Sequence, residues 1–202
     1  TMRNKFIDDA KQFAYGQAVF VVPGHILLDE VKKAGSVRTV IMDYLPNELL
    51  RVNHLDVYTR ISRPAQEMVI KQIIKSLVAK GELSYFTKLA DKKGFIKNMV
   101  SFIGELSRGG ITCEEFYAAL QAWERTDYLQ AKDMEIYHIY LLYRQELKKQ
   151  KRYDVDGLYR LAIRALQKEN CVVPWEKLYF SEFYQFDNLQ IELLKALSNH
   201  CT

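Results

Sequence analysis

A short apolar run, Leu178-Tyr179-Phe180, leads directly into Ser181 and Glu182. Gln190 follows on Asn188–Leu197, whose apolar residues recur at helical spacing. The run reads as a buried strand. A strand that delivers side chains to a crevice at its carboxyl end, followed by a helix, can set a metal-binding carboxylate and a water-orienting base against a nucleotide phosphate. The run ends in one acid, Glu182, preceded by the hydroxyl of Ser181. Mg²⁺ is a hard cation that seeks charged oxygens, so a neutral hydroxyl serves it poorly. Glu182 alone can orient a water, but no fixed phosphate lies in its path. Taken by itself it reads as an exposed acid at a strand end.

Nucleotide chemistry also needs a phosphate cradle. The loop G-x-x-x-x-G-K-[ST], whose backbone N–H groups and Lys hold the phosphates, does not occur in the 202 residues. Thr1 stands about where that motif would end ahead of its helix. The expectation is therefore no cofactor within these residues, and ATP with Mg²⁺ only if such a loop lies elsewhere in the polypeptide.

Other catalytic patterns fare no better. Metal-dependent nucleases pair an acid with an E-x-K or D-x-K step on adjacent strands, whereas Asp91-Lys92-Lys93 and Glu176-Lys177 fall in helical or turn contexts. Asp154 and Asp156 are close, but Tyr153 and Gly157 mark a helix start, where acids favour the positive end of the dipole. No G-x-S-x-G elbow supports Ser/His/Asp catalysis. His25, His54, His138 and His200 are scattered, as are Cys113, Cys171 and Cys201, so reduced thiols and no metal site are expected.

Contact with nucleic acid rests on Lys148, Lys149, Lys151 and Arg152, a dense basic cluster at a predicted helix end beside Tyr153. Such residues provide affinity for phosphates but little sequence reading. Basic residues in a last turn also complement the helix dipole, and that reading stands beside the first. Lys88, Lys92, Lys93 and Lys97 make a second, weaker group. Tyr137, Tyr140 and Tyr143 at helical spacing suit a core better than a base-stacking platform. With 29 Lys and Arg against 25 Asp and Glu, the net charge of +4 demands no polyanion. No apolar run approaches the roughly 20 residues that span a bilayer, and no secretory signal is evident. A cytoplasmic protein without membrane contact is expected.

The elements that must hold these residues follow from periodicity. Met2–Tyr15 reads as a helix, Ala18–Val22 as a strand buried on both faces, and His25–Ala34 as a second helix. Val37–Met42 is a second strand, and Pro46 opens a short helix to Leu50. That alternation is the doubly wound rhythm of an α/β fold. From Pro64 to Leu166 the pattern is helical: Pro64–Lys80, Phe95–Leu106, Glu114–Trp123 behind a Thr112/Glu115 capping box, Ala131–Lys151 and Asp154–Leu166. The sheet rhythm returns at Leu178–Phe180. Residues 1–55 with 170–202 are thus expected to form a small parallel sheet, and 56–169 a large all-helical insertion.

This layout resembles the first RecA-like lobe of UvrD/Rep-type superfamily-one helicases, and more closely the AddB subunit of AddAB helicase-nucleases. The helicase string D-E-F-Q-D-T-N-x-x-Q, laid on this chain, puts Ser181 at the metal-binding Asp and Glu182 at the base-like Glu, with Phe183 and Gln190 matching outright. VFVVPGHILLDEV resembles the AddB strand L-V-P-E-Q and its helix, and Val40–Leu50 sits at the next strand and S-F turn. GFIKNMVSFIGELSRGGITCEEF and DMEIYHIYLLYRQELKKQKRYDVDGLYRLAIRAL resemble its helical segments, and the final stretch its I-D-G-F-x-x-F string. The resemblance implies a RecA-like lobe that has lost most ATPase residues; the rival readings are a fragment of an active UvrD-like helicase motor and a helical protein-interaction scaffold unrelated to DNA. The resemblance also implies a subunit that tracks DNA at double-strand breaks while an AddA-like partner hydrolyses ATP. On that reading Ser181, Glu182 and Gln190 are a degenerate nucleotide site.

Overall fold

The computed structural model describes residues 8–9, 11–12, 16–25, 29, 37–55, 57–124 and 126–202. The expected helices Met2–Tyr15 and His25–Ala34 fall largely outside them. The chain divides into two compact units, Thr1–Val57 with Leu158–Thr202, and Tyr58–Gly157.

The first unit is built on a parallel sheet of β1 (Ala18–Val22), β2 (Arg38–Ile41) and β5 (Lys177–Phe180), in the order β2-β1-β5. The central strand is the most apolar, and all five of its residues are buried. A strand hydrogen-bonded on both edges and covered on both faces has no polar side to present, which is why AVFVV does not alternate. Register sets Phe20 opposite Thr39 on one side and Tyr179 on the other, with Val21 opposite Phe180. Phe20 and Tyr179 stack with ring centroids 4.9 Å apart. After β2, helix α1 (Tyr44–Val52) buries Leu45, Leu49 and Leu50. After β5, the helix Asn188–Leu197 buries Leu189, Leu193 and Leu197.

The second unit packs α2 (Arg63–Ala79), α3 (Lys93–Arg108), α4 (Cys113–Ala122) and α5 (Asp127–Lys149) around Ile70, Ile74, Ile103, Ile139, Tyr140 and Tyr143. Tyr140 and Tyr143 are therefore core residues, and their hydroxyls find acceptors at Ile111 O and Asp154 Oδ2. The Thr112 box closes as its spacing predicts: Glu115 N–H donates to Thr112 Oγ1 at 3.1 Å and Thr112 N–H to Glu115 Oε2 at 2.8 Å.

The unit is not purely helical. β3 (Thr59–Arg60) and β4 (Arg152–Tyr153) form a two-residue parallel ladder. Elements this short carry no period for a sequence reading to detect.

The division between units also differs from the expected one at its second boundary. The expected insertion includes all of helix α6 (Val155–Leu166), yet from Leu158 onward the chain groups with the sheet. Polar contacts within the sheet unit account for this: Tyr159 donates to Asp43, and His200 lies 3.2 Å from the Leu166 carbonyl. Apolar periodicity identifies a helix but not the layer against which its buried face packs.

Candidate functional site

The sheet ends in polar side chains at its carboxyl edge. Ser181 N–H donates to Val21 O at 3.1 Å, so β5 pairs with β1 to its last residue before the chain turns. Glu182 makes that turn at φ +63°. The left-handed region costs a side chain with a Cβ on the order of 1–2 kcal/mol, so the surrounding packing must impose it. Three aromatic rings do so: Phe183 stacks on Phe186 at 4.6 Å, and both meet the Phe180 ring edge-on. The Glu182 carboxylate is exposed.

Gln190 lies within the first turn of α7 (Asn188–Leu197), where its side chain has a local partner. Asp187 N–H donates to Gln190 Oε1 at 3.1 Å, and Gln190 N–H to Asp187 Oδ1 at 2.8 Å, a reciprocal capping box. Among the described residues no hydrogen bond joins Ser181, Glu182 and Gln190, and no cluster of three metal-ligating side chains is present.

A second acid at the same edge is Asp43, which follows β2 as Glu182 follows β5. Met42 N–H donates to Val22 O at 3.1 Å, carrying the ladder to the residue before it. The Tyr159 hydroxyl, from α6, donates to Asp43 Oδ1 at 2.7 Å. Burial pushes the Tyr159 hydroxyl well above the ordinary tyrosine range; the Asp43 charge adds to this, and a Gln190 hydrogen bond opposes it. Tyr159 is thus a fixed neutral donor. The sequence carries a related signal for Asp43, an acid directly after the apolar run Val40-Ile41-Met42, but the motif pattern singles out only Glu182, one residue beyond its own run.

Beside it, Arg51 grips Glu48 with two hydrogen bonds of 2.8 and 2.7 Å, and Arg38 bonds the Tyr44 hydroxyl. The Arg51 bonds hold the Glu48 carboxyl below the usual range despite its burial. The edge therefore offers hydroxyls, one ion-paired acid, Glu48, and two further acids, Asp43 and Glu182.

The basic cluster lies in the second unit. Lys148 and Lys149 occupy the last turn of α5, Lys151 turns the chain at φ +50°, and Arg152 opens β4. All four are exposed. The β3 segment holds the turn: Thr59 N–H donates to Lys151 O at 3.0 Å, and Ile61 N–H to Tyr153 O at 2.8 Å. Lys148 and Lys149 sit where cations complement the helix dipole, whereas Lys151 and Arg152 lie beyond the helix and have no such role. Asp154 caps the next helix through Gly157 N–H at 2.8 Å and pairs with Arg144 at 3.2 Å. Lys88, Lys92, Lys93 and Lys97 are exposed around a 3₁₀ turn and the start of α3.

These features define a parallel α/β protein with a polar edge on its sheet and a separate helical unit that carries an exposed basic turn. The family described as ADDB, N-terminal, matches residues 27–202, and the chain belongs to that AddB family. A protein of Carboxydothermus hydrogenoformans, named as the B-type subunit of an ATP-dependent helicase/deoxyribonuclease, is 25% identical over 169 residues, which are 83% of this chain and 15% of that protein. A protein of the same name from Ruminiclostridium cellulolyticum is 27% identical over 140 residues, 69% of this chain and 12% of that one. The chain therefore spans a small part of the length of the curated relatives it matches. No helix among the described residues is long and apolar enough to cross a membrane.

Proposed function

We propose that this chain is the helicase-like lobe of an AddB-type helicase-nuclease subunit, RecA-like in its sheet and interrupted by a helical insertion, and that it contacts DNA without hydrolysing ATP. The observation that carries the reading is Ser181: it follows β5, next to the central strand, where the resemblance to helicases puts a metal-binding carboxylate, and it offers only a hydroxyl. Asp43, the other acid-bearing strand end, is engaged by Tyr159. The relatives are named as one subunit of an ATP-dependent helicase/deoxyribonuclease, which supports a partner of AddA type that supplies ATP hydrolysis, with DNA ends as the shared substrate. Repair of double-strand breaks in the cytoplasm is the setting this implies.

The DNA contact falls to Lys148, Lys149, Lys151 and Arg152, exposed cations on a turn clamped by β3. Single-strand affinity of the intact polypeptide, measured across a salt series, tests this. Each phosphate contact adds about 0.7 to the slope of log K against log salt for single strands. Lys149→Glu with Lys151→Glu should weaken binding and flatten the slope by about 1.4. An unchanged slope removes these residues from the DNA contact.

A further inference from the structure

The helical unit contains a cleft of about 450 Å³ whose lining includes Arg60, Arg63 and Arg108. We infer that this cleft seats a backbone phosphate of a single nucleic-acid strand, which runs on from it across the Lys148–Arg152 turn. The inference rests on the DNA-contact reading above and extends it to a site that the sequence did not indicate.

Three arginines on one cleft repel one another unless something neutralises them. No ion pair among the described residues involves any of the three. Arg63 spends one nitrogen on the Ser101 hydroxyl at 2.8 Å and the Lys97 carbonyl at 3.3 Å, which fixes the guanidinium while leaving its charge unmatched. The Arg108 guanidinium lies over Gly104, where an added Cβ would meet Arg108 Nη1 at 3.6 Å, an ordinary van der Waals contact. The only acid among the described lining residues, Asp154, is already satisfied by Arg144, the Tyr143 hydroxyl and Gly157 N–H. Ser62, the N-cap of α2, also lines the cleft, so the positive end of a 17-residue helix adds to the same field. Planar guanidinium groups match phosphate oxygens in a bidentate way.

A strand explains the surroundings better than a free nucleotide does. The aromatic in the lining, Tyr143, is buried and offers no exposed face on which a base could stack. A strand needs none there, because its bases can remain outside. The cations also continue beyond the cleft: in the β3–β4 ladder Thr59 pairs with Arg152 and Arg60 with Tyr153, which brings Arg60 beside the basic turn.

The test uses the intact polypeptide, a labelled single strand and a salt series. Arg60→Gln with Arg108→Gln removes two exposed charges and leaves the Arg63 bonds between α2 and α3 intact. Strand affinity should fall about tenfold, and the slope should flatten by about 1.4, two contacts at about 0.7 each. Arg60→Lys with Arg108→Lys should restore the slope, and Lys75→Gln, on the exposed surface of α2, should leave it unchanged. A folded Gln variant with wild-type affinity and slope overturns the inference and leaves the DNA-contact reading standing. Loss of thymidine monophosphate or inorganic phosphate binding alone, with strand binding intact, also overturns it and assigns the cleft to a free anion. A wild-type protein that binds no single strand overturns both.

Discussion

Tyr159 donates its hydroxyl to Asp43 Oδ1 at 2.7 Å, joining α6 to the residue between β2 and α1. The bond places a neutral donor against an acid at the sheet edge, and it explains why α6 groups with the sheet. Tyr159→Phe should destabilise the protein by about 1–2 kcal/mol, the lower part of the range for a bond to a charged group because Asp43 is only half-buried. Urea unfolding at neutral pH checks this.

The same bond sets an alkaline limit. Burial and a neighbouring carboxylate hold the Tyr159 hydroxyl above its ordinary value, and likewise Tyr143 beside Asp154. In the unfolded chain a tyrosine ionises near about 10. Below that pH both states keep their protons and the stability is fully present. Above it the unfolded chain releases protons that the folded chain retains, so stability falls as pH rises. Denaturation midpoints should decline only above about pH 10, and Tyr143→Phe or Tyr159→Phe should each make the decline shallower.

Glu135 carries a larger structural role than any acid at the sheet edge. From α5 it accepts Ser84 N–H at 2.5 Å, Tyr85 N–H at 2.7 Å and Phe86 N–H at 2.9 Å, and also the Ser84 hydroxyl. Three successive backbone donors around one buried carboxylate form an anion nest. Glu135→Ala should cost about 3–5 kcal/mol by stranding them, whereas Glu135→Gln, which keeps one acceptor oxygen, should cost less. Thermal unfolding of the two variants separates the outcomes.

Asp187 fixes the start of α7 and, through it, Gln190. Asp187→Ala removes the side-chain acceptor of the capping box and should lower stability by about 1 kcal/mol. DNA affinity should not change, since the basic turn lies in the other unit. Paired unfolding and binding measurements on this variant distinguish a structural Gln190 from a ligand-binding one.

Much of the framework was legible in the residues. AVFVV has the uninterrupted apolar pattern of a doubly covered strand, and it is the central one. Thr112 and Glu115 announced a cap that forms. The β3–β4 ladder was invisible because two residues carry no period. Glu135 was invisible because its partners are backbone donors some fifty residues away, which no side-chain pattern records. Asp43 was legible in principle, since it follows Val40-Ile41-Met42, but its engagement depends on Tyr159, brought to it by tertiary packing. The arginine cleft likewise gathers Arg60, Arg63 and Arg108 from separate segments that only the fold unites.

The measurement that bears most directly on a hydroxyl standing in for a metal ligand is ATP turnover by the intact polypeptide in the absence of any partner, with single-stranded DNA present and Mg²⁺-ATP raised to about millimolar, the upper end of ordinary KM values. Turnover should stay at background, and Glu182→Gln should change nothing. Saturable, DNA-stimulated hydrolysis that Glu182→Gln abolishes would contradict it and make Glu182 a working base.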